Sequence, residues 1–204
     1  MSGFYARNIM PTLIERGMRN KVMRKYRPWL APQASGRVLE LGFGSGLNLG
    51  HYSPAVSQLF AVEPCEQLRA IAATVADRAR FPVTFIAMGA EEIPLETASI
   101  DTVTTTWTLC SIPAIAQALR EARRVLKPSG RLLFMEHGRA PDQDVERLQN
   151  RLSPLFRAMA GCNINRPIAE LIETAGFSFE RLERAYLDGP RFIAYHYIGA
   201  ARPA

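Results

Sequence analysis

Residues 38–48 read VLELGFGSGLN, an apolar run carrying one acid, followed by glycines at every second position. The run is of strand length and is bounded by turn residues, as expected for a buried strand. Gly42, Gly44 and Gly46 then mark a tight bend with no side chains to hold another molecule away from the backbone. Glu40 stands two residues before the first glycine. A dinucleotide bend of the common oxidoreductase type has its third glycine three positions beyond the second, which this spacing does not match. A carboxylate so close repels a pyrophosphate and attracts an ammonium or sulfonium group.

Working outward, QLFAVEP (58–64) reads as a second strand ending at Glu63. In doubly wound sheets an acid in that position can grip both ribose hydroxyls; the alternative is a helix-capping carboxylate ahead of Pro64. Glu40, the glycine bend and Glu63 together describe a site for a nucleoside with a cationic tail, the chemistry of S-adenosylmethionine.

The remaining pattern alternates. Strands are expected at 83–89, 100–112 and 131–137, with helices at 65–79 and 113–126 between them. KPSG (127–130) turns the chain. Helices follow at 143–160 and 166–176, and two strands, 177–187 and 191–201, close the chain across a short DGP turn. Strands alternating with helices imply a parallel sheet covered on both faces. The tight final link demands an antiparallel pair. The fold class is therefore α/β, a Rossmann-like sheet over 36–204 preceded by a basic helical segment, 1–35.

At 204 residues and 48% hydrophobic, the chain can bury one substantial core. No stretch has the length and apolarity of a membrane span, and the N-terminus lacks a secretory pattern, so a cytoplasmic protein is expected. The net charge of +6 is local. Residues 1–30 hold seven of the 25 basic residues and one of the 19 acidic ones, and the remainder holds 18 of each. Thr12 with Glu15 reads as a capping box, Ile14, Met18, Val22 and Tyr26 as an apolar stripe, and Pro28 is expected to end the helix. Such a helix either packs its stripe on the domain or makes peripheral contact with an anionic membrane. Nucleic acid is not an expected partner, because the charge is confined and no stacking motif accompanies it. Cys65, Cys110 and Cys162 are far apart and offer no metal-ligand spacing, so no metal is expected and each reads as a small packing residue.

VLELGFGSG (38–46), AVEP (61–64), MGAEEIPL (88–95), IDTVTTTWTLCSI (100–112) and LREARRVLKPSGRLLFMEH (119–137) resemble successive signature segments of class I S-adenosylmethionine-dependent methyltransferases. Phe43 and Ser45 depart from the small residue and threonine common there. The resemblance implies a seven-stranded sheet of order 3-2-1-4-5-7-6 with strand 7 antiparallel. It implies S-adenosylmethionine as cofactor and S-adenosylhomocysteine as product. It also implies cofactor contacts from Glu40, Gly42, Gly44, Gly46, Glu63, Ala90, Glu91, Trp107 and Leu109, with Trp107 beside the transferable methyl.

Four shorter pieces, TLCSI (108–112), FMEHG (134–138), GCNINR (161–166) and HYIGAA (196–201), are similar to the thiol S-methyltransferase-like group. The animal members carry an apolar N-terminal anchor where this chain has the basic helix, so membrane residence does not carry over. A small-molecule acceptor, most simply a thiol, is implied. A thiol attacks as thiolate, and a nearby base helps. His137, ending the fifth strand, is the candidate base against a packing role. Cys110, Asn163 and Arg166 are candidates for the acceptor pocket, with loop pinning as the alternative for the last two. His51 reads as a cofactor-edge or surface residue and His196 as a core one. Three other functions stay open: an amine-headgroup phospholipid N-methyltransferase or other N- or O-methyltransferase, an arsenite methyltransferase if cysteines converge, and a non-catalytic S-adenosylmethionine-binding module.

Overall fold

The computed structural model describes residues 10–204; Arg7, and the side chain of Ile14 in the apolar stripe, lie outside the described residues. Seven strands form one sheet in the order β3-β2-β1-β4-β5-β7-β6. These are β1 (Gly36–Leu41), β2 (Val56–Val62), β3 (Val83–Ile86), β4 (Ile100–Thr106), β5 (Leu126–His137), β6 (Phe177–Tyr186) and β7 (Tyr195–Pro203). The first five pair in parallel, and β7 runs antiparallel to both β5 and β6. The expected order and the antiparallel strand are both present.

Alternation along each strand sorts the core onto two faces. Leu39, Leu41, Phe60, Val62, Leu132 and Phe134 point to one face, where α4 (Ile115–Val125) and α6 (Ile168–Thr174) cover them with Leu119, Ala122, Ile168 and Ile172. Val38, Leu59, Ala61, Leu133 and Met135 point to the other, beneath α2 (Lys21–Leu30) and α3 (Glu66–Ala76). Strands buried on both faces explain why the sequence shows continuous apolar runs rather than half-polar ones.

The N-terminal segment differs from expectation. It forms two helices, α1 (Met10–Gly17) and α2, because Asn20 caps a new start by accepting the Met23 amide at 3.0 Å. Pro28 does not end α2. The helix continues to Leu30, where Leu30 and Ala31 are buried against the sheet, and that burial offsets the bond the proline removes.

Two other expectations shift. KPSG is absorbed into β5 as a bulge, the pairing moving from Ile100–Leu126 to Thr102–Arg131. Residues 191–194 form a helical turn, α7 (Arg191–Ala194), instead of strand. Phe192 packs there on Phe156 of α5 (Gln143–Ala160), and its carbonyl accepts from Gln149. No described helix is long and apolar enough to cross a membrane.

Candidate active site

The carboxyl ends of β1, β2 and β4 surround a cavity of about 370 Å³. Open α/β sheets bind ligands at such a place, where the strand order reverses. The glycine bend after β1 forms its floor. Gly42 has a φ of +69°, and a Cβ there would come within 2.3 Å of Thr108, so only glycine lets the loop after β4 approach. Gly44 has a φ of +58°, and a Cβ there would meet none of the described residues within 4 Å. Its backbone is bare toward the cavity it borders. Gly46 instead packs against Val75 of α3 and does not border the cavity.

Glu63 ties the bend to β2. Its Oε2 accepts the Gly44 amide at 2.9 Å, and its Oε1 accepts the Cys65 amide at 2.9 Å. The carboxylate therefore caps the turn, the second of the two readings made from the sequence, and it also borders the cavity. Burial raises its pKa, against the pull of those two amides.

Glu40 is 1% exposed and lies at the end of a polar chain. Its Oε1 accepts from Asn48 Nδ2 at 2.7 Å and its Oε2 from the Tyr52 hydroxyl at 2.8 Å. Asn48 Oδ1 in turn accepts from Arg27 Nη1 at 2.7 Å. Burial pushes the Glu40 carboxyl up to about 7, outweighing the hydrogen bonds from Tyr52 and Asn48. A cation in the cavity would hold it ionised.

Trp107 closes β4 with a φ of +51°, unusual for a side chain of this size. Neighbours fix it in place: its amide donates to the Met135 carbonyl at 2.9 Å, and its indole N–H to His196 Nε2 at 2.8 Å. Arg27 stands 5.3 Å from the ring centroid. Burial lowers His196 to about 4, so the ring is a neutral acceptor. Ala90 and Glu91 line another wall, and Glu91 Oε1 accepts the Ala114 amide at 3.2 Å.

Sequence reading missed the roof. Pro11 and Glu15 of α1, Met18 in the turn after it, Arg27 of α2, and Ala160–Gly161 at the end of α5 all border the cavity. The basic segment thus carries part of the site, with Arg27 turned inward and only 5% exposed. Nothing in the charge pattern distinguished Arg27 from its six basic neighbours.

Leu109, His137, Cys110, Asn163 and Arg166, all expected at the site, do not border the cavity. Leu109 is fully buried in the core, its amide bound by Glu136 Oε2 at 3.1 Å. Arg166 Nη1 donates to the Leu109 carbonyl at 2.6 Å, and Asn163 donates to the Cys110 carbonyl through its backbone (2.9 Å) and side chain (3.1 Å). Both residues pin the loop after β4, the alternative reading made for them. His137 Nε2 lies 3.2 Å from Cys162 Sγ. Cys110, His137 and Cys162, which showed no metal-ligand spacing, are brought together by the fold. The Cys162 thiol hydrogen-bonds to Cys110, and His137 is adjacent; together they hold the Cys110 thiol well below its usual range despite burial. His51 lies on a short 3₁₀ turn after the bend and does not border the cavity.

The residues present fit S-adenosylmethionine. A bare backbone cradle at Gly44, an oriented carboxylate at Glu63 for a ribose and a second at Glu40 for a positive tail occupy one cavity. Sheet order and cavity position define the fold as that of the class I methyltransferases.

Comparison with known proteins agrees. Residues 39–134 match the family model described as "Methyltransferase domain". Rat thiol S-methyltransferase TMT1B is 32% identical over 151 residues, 72% of this chain and 62% of the rat protein. The ubiquinone/menaquinone biosynthesis C-methyltransferase UbiE of Rubrivivax gelatinosus is 31% identical over 129 residues, 63% of this chain and 50% of that one. This chain therefore spans between half and two thirds of the length of these relatives. A Burkholderia thailandensis 1,6-didemethyltoxoflavin-N1-methyltransferase, solved with bound S-adenosylhomocysteine, superposes with a TM-score of 0.69 at 19% identity, covering 96% of this chain and 84% of that one. Residues 39–134 are therefore similar to a methyltransferase domain, carried on the fold of the class I methyltransferases.

Proposed function

We propose that the protein transfers the methyl group of S-adenosylmethionine to a small thiol. The observation that carries the methyl-transfer reading is the pairing of Glu40 and Glu63 around the bare Gly44 backbone in one cavity. The thiol reading is supported by the relatives named as thiol S-methyltransferases and by the apolar wall that Met18, Leu47, Trp107 and Ile112 give the cavity.

When bound, S-adenosylmethionine supplies an electrophilic sulfonium methyl. Glu63, already oriented by two amides, would accept from the ribose hydroxyls, and Glu40 would face the positive tail. Ala90 and Glu91 would flank the adenine. Trp107, Met18 and the α1–α2 roof would exclude water and hold the acceptor in line, where positioning supplies most of the rate. A few per cent of an ordinary thiol is ionised at neutral pH, so orientation of that thiolate suffices. His137 stands apart from the cavity, and no proton transfer is routed through it. The test is a panel of thiols, amines and phenols with S-adenosylhomocysteine formation as the readout. A preference for amines or phenols over every thiol contradicts the thiol reading, and tight cofactor binding without any acceptor favours a binding module.

A second reading, methylation of an amine lipid headgroup with peripheral attachment to membrane, is favoured by the exposed Arg16, Arg19, Lys21, Arg24 and Lys25. Each basic side chain near an anionic surface contributes about 1 kcal/mol. Sedimentation with anionic vesicles tests it, and failure to bind removes its support.

A further inference from the structure

Behind the cavity wall, the ends of three separate elements bring Cys110, His137 and Cys162 together. One donor atom from each lies within 4.8 Å of the other two. The neighbouring residues Ser111 and Gly161 border the cavity, so the cluster sits one residue deeper than its lining. The proposed methyl transfer uses none of the three.

The scaffold around them is rigid. Glu136 accepts the Thr108 amide at 2.9 Å, the Leu109 amide at 3.1 Å and the Thr105 hydroxyl at 2.7 Å, which fixes the loop carrying Cys110 next to the strand end carrying His137. The two Asn163 hydrogen bonds to the Cys110 carbonyl staple the loop of Cys162 to that of Cys110. The loops are therefore held before any ligand arrives. His137 Nδ1, meanwhile, is buried with no hydrogen-bond partner among the described residues, a cost that a protein retains at few places without use.

We propose that Cys110, His137 and Cys162 bind one thiophilic divalent cation of the zinc type. Two sulfurs and an imidazole are a soft to borderline donor set, which disfavours calcium and magnesium. Zinc bonds of about 2.3 Å to sulfur and ~2.1 Å to nitrogen keep donors under ~4.6 Å apart, so the cluster needs only a small contraction. Two thiolates neutralise a divalent ion, and a neutral complex suits a buried place. The Glu136 carboxylate is engaged by its three donors, so the fourth position of a tetrahedral ion is left for water or an incoming thiol.

The test uses the full chain kept reduced with a phosphine, loaded with zinc and then titrated with a chromophoric chelator. One tightly held zinc per chain is expected. Cobalt(II) in its place should give a near-ultraviolet thiolate-to-metal charge-transfer band. Cys110→Ser, Cys162→Ser and His137→Ala should each weaken zinc by about 100-fold or more, beyond the ~10- to 100-fold that losing an outer-shell partner costs. Cys65→Ser should leave zinc uptake unchanged. Binding of S-adenosylhomocysteine by each variant checks that it is folded, and the cobalt band of the unsubstituted chain stands even if a variant is not. Reduced protein that retains no zinc and shows no cobalt–thiolate band overturns the proposal, as does uptake that survives both cysteine substitutions.

Discussion

The Gly44 amide donates to Glu63 Oε2 at 2.9 Å, joining the bend after β1 to the end of β2. One carboxylate thereby both shapes the cradle and faces the ligand. Glu63→Ala should remove both contributions. A hydrogen bond to a charged group contributes about 1.5–3 kcal/mol, so affinity for S-adenosylhomocysteine should fall by roughly 10- to 100-fold, as read by calorimetric titration.

Gly44→Val acts on the other half of the same pair. A valine at a φ of +58° is strained, and its branches would project into space that the glycine leaves open. Cofactor affinity should be abolished while the variant still melts cooperatively. Binding at the unsubstituted strength would remove the bend from the site.

Glu40, with a carboxyl near 7, makes the site pH-sensitive. The ionised form attracts a sulfonium and the protonated form does not, so affinity for S-adenosylmethionine should fall as pH drops through about 7. Glu40→Gln should bind weakly and flatten that part of the profile. An unchanged slope in the variant would assign it to another group.

The Glu40 and Glu136 carboxyls should move stability of the unliganded chain the opposite way to the usual alkaline tolerance of proteins. Burial raises Glu40 to about 7 and Glu136 to about 8 above an ordinary carboxyl, so the folded state holds protons that the unfolded state has released. Stability is then lost as pH rises through those values. His196, lowered to about 4 by burial, opposes this only below the ordinary histidine range. The lowered Cys110 thiol acts in the opposite sense up to its ordinary range, so the decrease is expected of Cys110→Ser: between about pH 6.5 and 8 its midpoint of denaturant unfolding should fall with pH. A midpoint that rises across that window contradicts the assignment of these two carboxyls.

Arg27 should prove structural as well as cavity-lining. Arg27→Ala leaves the Asn48 side chain without its buried donor and strips a cation from the face of Trp107. A loss of about 1–3 kcal/mol is expected, readable as a lower denaturation midpoint. Arg27→Lys should recover only part of it, because lysine has no planar fork to span Asn48 and the Met18 carbonyl.

What could be read from the sequence follows the range of the interactions. The bend after β1, Glu63 and the closing antiparallel pair are set by neighbours along the chain, and periodicity and turn residues declare them. The roof over the cavity was hidden because a basic helix with one apolar stripe does not say which arginine turns inward. The break at Asn20 looked like an ordinary helical residue, and Pro28 like a stop, until burial of Leu30 decided otherwise. Cys110, His137 and Cys162 meet only because β4, β5 and α5 end at the same edge, and no local spacing records that. Leu109, read by resemblance as a cofactor contact, is turned into the core because Glu136 claims its amide.

The central claim is that one cavity, flanked by two acids and floored by bare backbone, selects an adenosyl donor with a cationic tail. Calorimetric titration of the unsubstituted chain with S-adenosylhomocysteine, and separately with a nicotinamide dinucleotide, tests it most directly. One saturable site for the first and no heat with the second is the predicted result; no binding of the first, or displacement of it by the dinucleotide, would contradict the account.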